Sequence, residues 1–160
     1  MPATKLAACQ ALALTPAAAG DLEPLVALRI EAMRESLERI GRFDAARARE
    51  RFAAGFAPQH TQHIELQGER VGFVAVRPAA DGLLLDHFYI HPDHQSRGIG
   101  TLALQQVFEQ ADAAGLPLRV GALRGSDSNR FYRRHGFRLI EETEWDLYYL
   151  RDATSTVSAA

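Results

Sequence analysis

Apolar residues recur along this chain with two periods, and those periods predict most of its elements. Leu22, Leu25, Val26, Met33, Leu37 and Ile40 fall at helical spacing, with Asp21 placed as N-cap, Glu23 and Pro24 in the first turn, and Gly41 as the stop. Asp44 is placed to cap a second helix over Ala45–Ala54, anchored by Phe52 and Phe56 and closed off by Pro58. Gln62–Leu66 and Val71–Val76 flank Gln67-Gly68-Glu69-Arg70, a hairpin signal. Pro78–Gly82 reads as a turn into the apolar run Leu83–Ile90. A helix is predicted over Thr101–Ala114 from Leu102, Leu104, Val107 and Phe108, and Gly115-Leu116-Pro117 then leads to a strand, Leu118–Leu123. A short helix, Ser128–His135, stops at Gly136, and Phe137–Glu142 with Trp145–Leu150 reads as a closing hairpin. Gln10–Leu14 reads as a short first strand, broken by Thr15-Pro16. The order is strand, two helices, three strands, helix, strand, helix, two strands. That order predicts an α+β fold: a mixed, mainly antiparallel central sheet of about six to seven strands with helices on both faces.

Composition narrows the class. A chain of 160 residues with 47% hydrophobic and 24% charged residues suits one soluble domain with a sizeable core. A net charge of −2 gives no reason to expect a nucleic-acid or anionic-membrane partner. No apolar run approaches the roughly 20 residues that span a bilayer. The start, Met1–Cys9, is too mild for a signal peptide, so a cytoplasmic location is expected. Cys9 is the only cysteine, which removes a disulfide framework and a cysteine zinc site. His87, His91 and His94 have spacings that line up only on a helix, and Pro92 and the strand pattern argue against one; no metal is expected.

The stretch Leu83–Leu102 carries the chemistry. An apolar strand feeds a polar loop ending in Gln95-Ser96-Arg97-Gly98-Ile99-Gly100, and a helix follows. The first N–H groups of a helix have no intrahelical partner, and the helix dipole favours negative charge there. Gly98 and Gly100 let the backbone close on a diphosphate, and Arg97 adds a positive charge. Gly98–Ala103 also fits the dinucleotide pattern G-x-G-x-x-A. That reading needs the strand to run straight into the first glycine and an acid at the end of the next strand. Here His91–Arg97 intervene, and Leu118–Ala122 carries no acid, so nicotinamide binding is disfavoured.

Gln95–Gly100 resembles the Q/R-x-x-G-x-G/A acyl-CoA pyrophosphate motif of the GNAT acetyltransferases. Asn129-Arg130-Phe131-Tyr132-Arg133-Arg134-His135-Gly136-Phe137 resembles the family's second signature, a short helix carrying F/L-Y followed by G-F. The resemblance covers about residues 11–151, implying a single N-acetyltransferase domain with 1–10 and 152–160 as flexible tails. It implies acetyl-CoA as the acyl donor and the amine of a small molecule or peptide as acceptor, attacking directly. Gln95, Ser96, Arg97, Gly98, Ile99, Gly100 and Thr101 would hold the pyrophosphate. Tyr132 would be the general acid; a phenol with a pKa near 10 keeps its proton at neutral pH yet can protonate a thiolate. The backbone N–H near Ile90 would face the oxyanion, and Asp86 matches the usual position of a base acting through water. His87 is a rival base. Period-two alternation places Asp86 with Phe88 and Ile90, and His87 with Leu85 and Tyr89. The commonest family version has an Asn seven residues before the Tyr; this chain has Gly125 there, so either Asn129 or Ser126 substitutes for that CoA contact or the contact is absent, with Asn129 a polar helix-start residue. In the family the acceptor lies between the first two helices and the last hairpin, where Glu141, Glu142, Glu144 and Asp146 are either acceptor contacts or a solvated turn. Members often dimerise, which leaves a homodimer open. A different class also remains: a non-catalytic acyl-CoA-binding or regulatory domain on the same fold, which retention of Tyr132 disfavours.

Overall fold

The computed structural model describes residues 12–39, 41 and 43–154. Gln10, Ala11 and Ile40 of the expected elements, and the tail residues 1–9 and 155–160, lie outside the described residues. The elements are β1 (Leu12–Pro16), α1 (Leu22–Arg39), α2 (Ala45–Gly55), β2 (Thr61–Leu66), β3 (Glu69–Ala79), β4 (Gly82–Ile90), α3 (Ile99–Ala114), β5 (Leu118–Leu123), α4 (Ser128–Arg134), β6 (Arg138–Glu142) and β7 (Asp146–Arg151). The strands form one seven-stranded mixed sheet in the order β1-β2-β3-β4-β5-β7-β6. By contact density the chain divides into two compact units. The first runs up to Ala75 and includes His87–Gln105; the second holds Val76–Asp86 and everything from Gln106 onward.

In the first unit, β1 pairs antiparallel with β2 and keeps Thr15 and Pro16, which were expected to end it. Pro16 sits opposite Gln62 on an edge strand, where a missing N–H need not break the ladder. A 3-10 turn, Ala19–Asp21, precedes α1. Asp21 caps backwards: its carboxylate accepts the Ala18 N–H at 2.8 Å and lies 2.9 Å from His63 Nε2. The Ala18 bond first, then His63, hold that carboxyl down at about 2. Asp44 caps α2 as expected, accepting the Arg47 N–H at 3.1 Å. The β2–β3 hairpin turns on Gln67-Gly68 alone, with φ of +53° and +84°, so Glu69 and Arg70 belong to the strand.

A bulge in this hairpin sets which residues face which helices. The β2–β3 register shifts between Ile64 and Glu65, leaving Val71 as the extra residue on β3. Val71 therefore packs with Leu12, Ile64, Ile99 and Ala103, beside Phe88 and Ile90. Phe73, two residues on, packs on the other face with Leu25, Val26 and Phe52, beside Tyr89. Helices α1 and α2 thus cover one face of this part of the sheet, and α3 the other. The β4 alternation is as expected, with Phe88 and Ile90 in the first cluster and Tyr89 in the second.

In the second unit, β4 pairs in parallel with β5 through Leu83–Leu85 and Leu118–Val120. Strand β7 pairs antiparallel with both β5 and β6, and Ile140 is the extra residue where the β6 register shifts. Buried side chains include Leu85, Val107, Ala111, Val120, Tyr132, Phe137 and Tyr149. The beginning of the expected tail is tied down. Asp152 meets Arg138 at 3.0 Å. The Thr154 N–H and hydroxyl donate to Asp112 at 3.0 and 2.8 Å, and Arg151 donates to the same carboxylate at 2.9 and 3.0 Å. Among the described residues no helix is long and apolar enough to cross a membrane.

Candidate functional site

The loop after β4 is held at both ends. At its start the His91 N–H donates to the Val71 carbonyl at 2.8 Å, and a 3-10 turn over Pro92–His94 follows. The Gln95 side chain folds back, donating from Nε2 to the Ile90 carbonyl at 2.9 Å. At its end Ile99 is 1% exposed and buried beside Val71 and Ala103. Between these anchors Gln95, Ser96, Arg97 and Gly98 are exposed. Ser96 and Gly98 have φ of +64° and +82°, the left-handed region that glycine enters freely and serine at a cost.

Helix α3 starts at Ile99, two residues before the expected Thr101, because Gly98 is the residue whose carbonyl takes its first bond, from the Leu102 N–H at 3.2 Å. The amides of Ile99 and Gly100 therefore have no acceptor inside the helix. A Cβ built on Gly98 meets nothing within 4 Å, so space is open on that side of the turn. Arg97 Nη1 lies 3.2 Å from His94 Nδ1, and His94 Nε2 lies 3.6 Å from Glu69 Oε2. A turn at a helix start whose first amides lack helical acceptors, beside an arginine, can bind a diphosphate.

The end of β4 is crowded from β3. A Cβ on Gly72 would stand 2.3 Å from the Tyr89 carbonyl oxygen and 3.2 Å from Ile90 Cα. Only glycine lets β4 approach this closely, a constraint no periodicity in the chain reveals.

Asp86 forms an ion pair with Arg77 at 2.9 Å, with each side chain 31% exposed. That partner is what makes a carboxylate tolerable in an apolar strand. His87 lies among rings: Phe52 at 4.9 Å, Tyr89 at 5.8 Å and Phe73 at 6.1 Å between centroids. His91 and His94 stand with ring centroids 6.2 Å apart, and the described residues contain no group of three or more metal-ligating side chains.

Tyr132 is 5% exposed, packed against Phe131, Phe137 and Tyr149. Asn129 is knitted into the protein. Its Nδ2 donates to the carbonyls of Leu123 and Ser126, both at 2.9 Å, and its Oδ1 accepts the Tyr149 hydroxyl at 2.8 Å. On the closing hairpin Glu141 and Glu142 lie in β6 rather than in a turn, and they are exposed, with Glu141 paired to Arg119 at 2.9 Å and Glu142 to Arg124 at 3.2 Å.

The structure thus brings Ile90 and Gln95 into direct contact and sets Ser96–Gly100 on one continuous turn. It also shows partners that the sequence pattern did not name: Gly72 behind Tyr89, Arg77 on Asp86, and Tyr149 on Asn129.

A mixed seven-stranded sheet with a glycine-bearing turn between β4 and α3 is the arrangement that the comparisons place in an acyltransferase class. The sequence profile of the acetyltransferase (GNAT) domain matches residues 58–139, more than half of the chain. The chain belongs to the GNAT acetyltransferase family. Among solved structures it resembles the PaiA N-acetyltransferase of Thermoplasma acidophilum in complex with coenzyme A, at 14% identity over 88% of this chain and 98% of that one, with a TM-score of 0.73. It also resembles a GCN5-related N-acetyltransferase from Rhodopseudomonas palustris, at 25% identity over 88% and 94% with a TM-score of 0.70. The ribosomal-protein-S18-alanine N-acetyltransferase of Escherichia coli matches at 16% identity over 90% and 96%, with a TM-score of 0.65. No curated protein matches the chain.

Proposed function

We propose that this protein transfers the acetyl group of acetyl-CoA to a primary amine of a small molecule or peptide, by direct attack and with no covalent enzyme intermediate. The observation that carries the reading is the turn at the start of α3. Gly98 is left-handed, the Ile99 and Gly100 amides lack helical acceptors, and Arg97 stands beside them. In this reading Gln95–Thr101 hold the pyrophosphate, and the Gln95 side chain acts on Ile90 rather than on the ligand.

The amine nitrogen attacks the thioester carbonyl carbon; the C–N bond forms and the C–S bond breaks. The Ile90 amide stabilises the negative charge that develops on the carbonyl oxygen. The amine's proton leaves through water to Asp86, which Arg77 holds in place, with His87 as the other candidate base. The departing thiolate takes the proton of the Tyr132 hydroxyl, which solvent then restores. Asn129 serves the site by fixing the Leu123–Ser126 backbone rather than by donating to CoA, since its Nδ2 already bonds both of those carbonyls.

Calorimetric titration with acetyl-CoA, with NAD as the control, tests the cofactor. Micromolar binding of the first and none of the second is expected; the reverse, or no binding of either, would refute the reading. Tyr132→Phe should lower kcat by roughly 10²-fold while leaving acetyl-CoA affinity intact. An unchanged kcat would remove Tyr132 from the proton transfer.

A further inference from the structure

Arg29 interrupts the inward row of α1. Leu22, Leu25 and Val26 point toward the core, and Arg29 follows at i+4 from Leu25 and i+3 from Val26, where the stripe calls for an apolar side chain. Its guanidinium carbon stands 5.9 Å from the centroid of the Tyr89 ring. Its Nε is buried and has no hydrogen-bond partner.

Other arginines nearby are differently provided for. Arg34 pairs with Glu31 and Glu38, Arg39 with Glu35, and Arg49 on α2 with Glu23. Among the described residues, no carboxylate pairs with Arg29. A guanidinium whose Nε is buried without a partner, and which has no counter-charge, carries a cost that a ring face offsets only in part. Its planar fork of donors matches a carboxylate or a phosphate.

The surroundings say where such an anion would sit. Tyr89 also neighbours His87 and Phe73, and His87 meets Phe52 edge-on, so Arg29 lies at the rim of an aromatic wall. Tyr89 directly precedes Ile90, whose amide faces the thioester carbonyl in the proposed function. The hairpin acids Glu141 and Glu142 already have arginine partners, so they make no case for a purely cationic acceptor.

We infer that Arg29 selects an acceptor that carries an acidic group, a carboxylate or a phosphate, besides the amine that is acetylated. This rests on the proposed function and names its substrate class.

The test measures thiol release from acetyl-CoA by the wild type, Arg29→Met and Arg29→Lys. The acceptors are α-amino acids against their carboxamides, and aminoalkyl phosphates against the matching amino alcohols. The wild type should favour one acidic series over its neutral partners by about 10²-fold in kcat/KM. Whichever pair shows the preference identifies the anion. Arg29→Met fills the same stripe position, and it should bring the ratio to about unity through KM for the acceptor, with KM for acetyl-CoA unchanged. Arg29→Lys should restore part of it.

Calorimetry with the same acceptors and free CoA gives a readout that does not need turnover. Tighter wild-type binding of acidic than neutral acceptors, lost in Arg29→Met, supports the inference even if no acetyl transfer is seen. In that case the enzyme reading alone fails. A wild type indifferent to the acidic group in both assays, or an Arg29→Met variant that keeps the preference, overturns the inference.

Discussion

Replacing Gly72 by alanine adds one methyl group where β3 and β4 come closest. The new Cβ would stand 2.3 Å from the Tyr89 carbonyl oxygen, whereas real Cβ contacts essentially never fall below 3.0 Å, so backbone must move by 0.7 Å or more. The obstructing atom is main chain, with no rotamer to turn aside. Overpacking of this kind costs about 1–3 kcal/mol, and the stiffer unfolded chain returns about 0.4–1 kcal/mol. The net loss, about 1.3 kcal/mol at the middle of those ranges, should lower Tm by roughly 3–5 °C in a protein of this size. The displacement falls on the strand end whose Ile90 carbonyl holds Gln95, so the turn proposed to bind the pyrophosphate moves with it. KM for acetyl-CoA should therefore rise, and misplacement near 1 Å can cost up to about 10² in rate. Gly20→Ala is the control, since a Cβ there meets nothing within 4 Å and no positive φ is involved. Thermal melts and steady-state kinetics on both variants decide the matter. If Gly72→Ala melts with the wild type, the crowding argument is wrong. If it melts lower but keeps KM for acetyl-CoA, the link from strand end to turn is wrong.

Gly98→Glu finds open space but forces a left-handed residue and places a carboxylate on the turn proposed to bind the pyrophosphate; acetyl-CoA binding by calorimetry should disappear, and normal affinity would sink the pyrophosphate assignment. Asn129→Ala leaves the buried Tyr149 hydroxyl without its acceptor, while the Leu123 and Ser126 carbonyls keep their backbone donors; this should cost about 1–3 kcal/mol in urea unfolding, and adding Tyr149→Phe should recover part of that loss. Asp112 is held well below the usual carboxylate range, chiefly by the hydrogen bonds from Arg151. A carboxyl depressed in the folded state stabilises above its unfolded value near 3.8 and loses that contribution as pH falls through the folded value. Asp112→Asn should thus be less stable than the wild type at pH 7, with the gap closing below about pH 4; a gap that is constant with pH would mean the pair contributes nothing through ionisation.

Elements with a clean period were legible in the chain. The apolar run Leu118–Leu123 is β5 to the residue, and β4 begins one residue before the expected Leu83. Gln95–Gly100 and the helix bearing Tyr132 are where the proposal places the chemistry. Misplacements arose where tertiary context overrides local preference. Pro16 stays in β1 because an edge strand tolerates it. Asp21 bonds the Ala18 N–H and His63 instead of capping α1 forward, since β2 brings His63 within reach. The need for Gly72 depends on a neighbouring strand's carbonyl, which spacing along one strand cannot encode. Arg29 did leave a signal, a charged residue on an apolar stripe, but its meaning depends on the Tyr89 ring beside it.

The tether from Gln95 to Ile90 has a kinetic consequence. A turn fixed by the protein's own contacts does not have to be ordered by the ligand, so little conformational entropy is lost when a diphosphate arrives. Encounter should then proceed in one step at ordinary diffusive rates, without a slow rearrangement behind it. Gln95→Ala would turn the same site into one that must freeze as it binds, and the penalty would show in the time the cofactor takes to settle as well as in how tightly it is held.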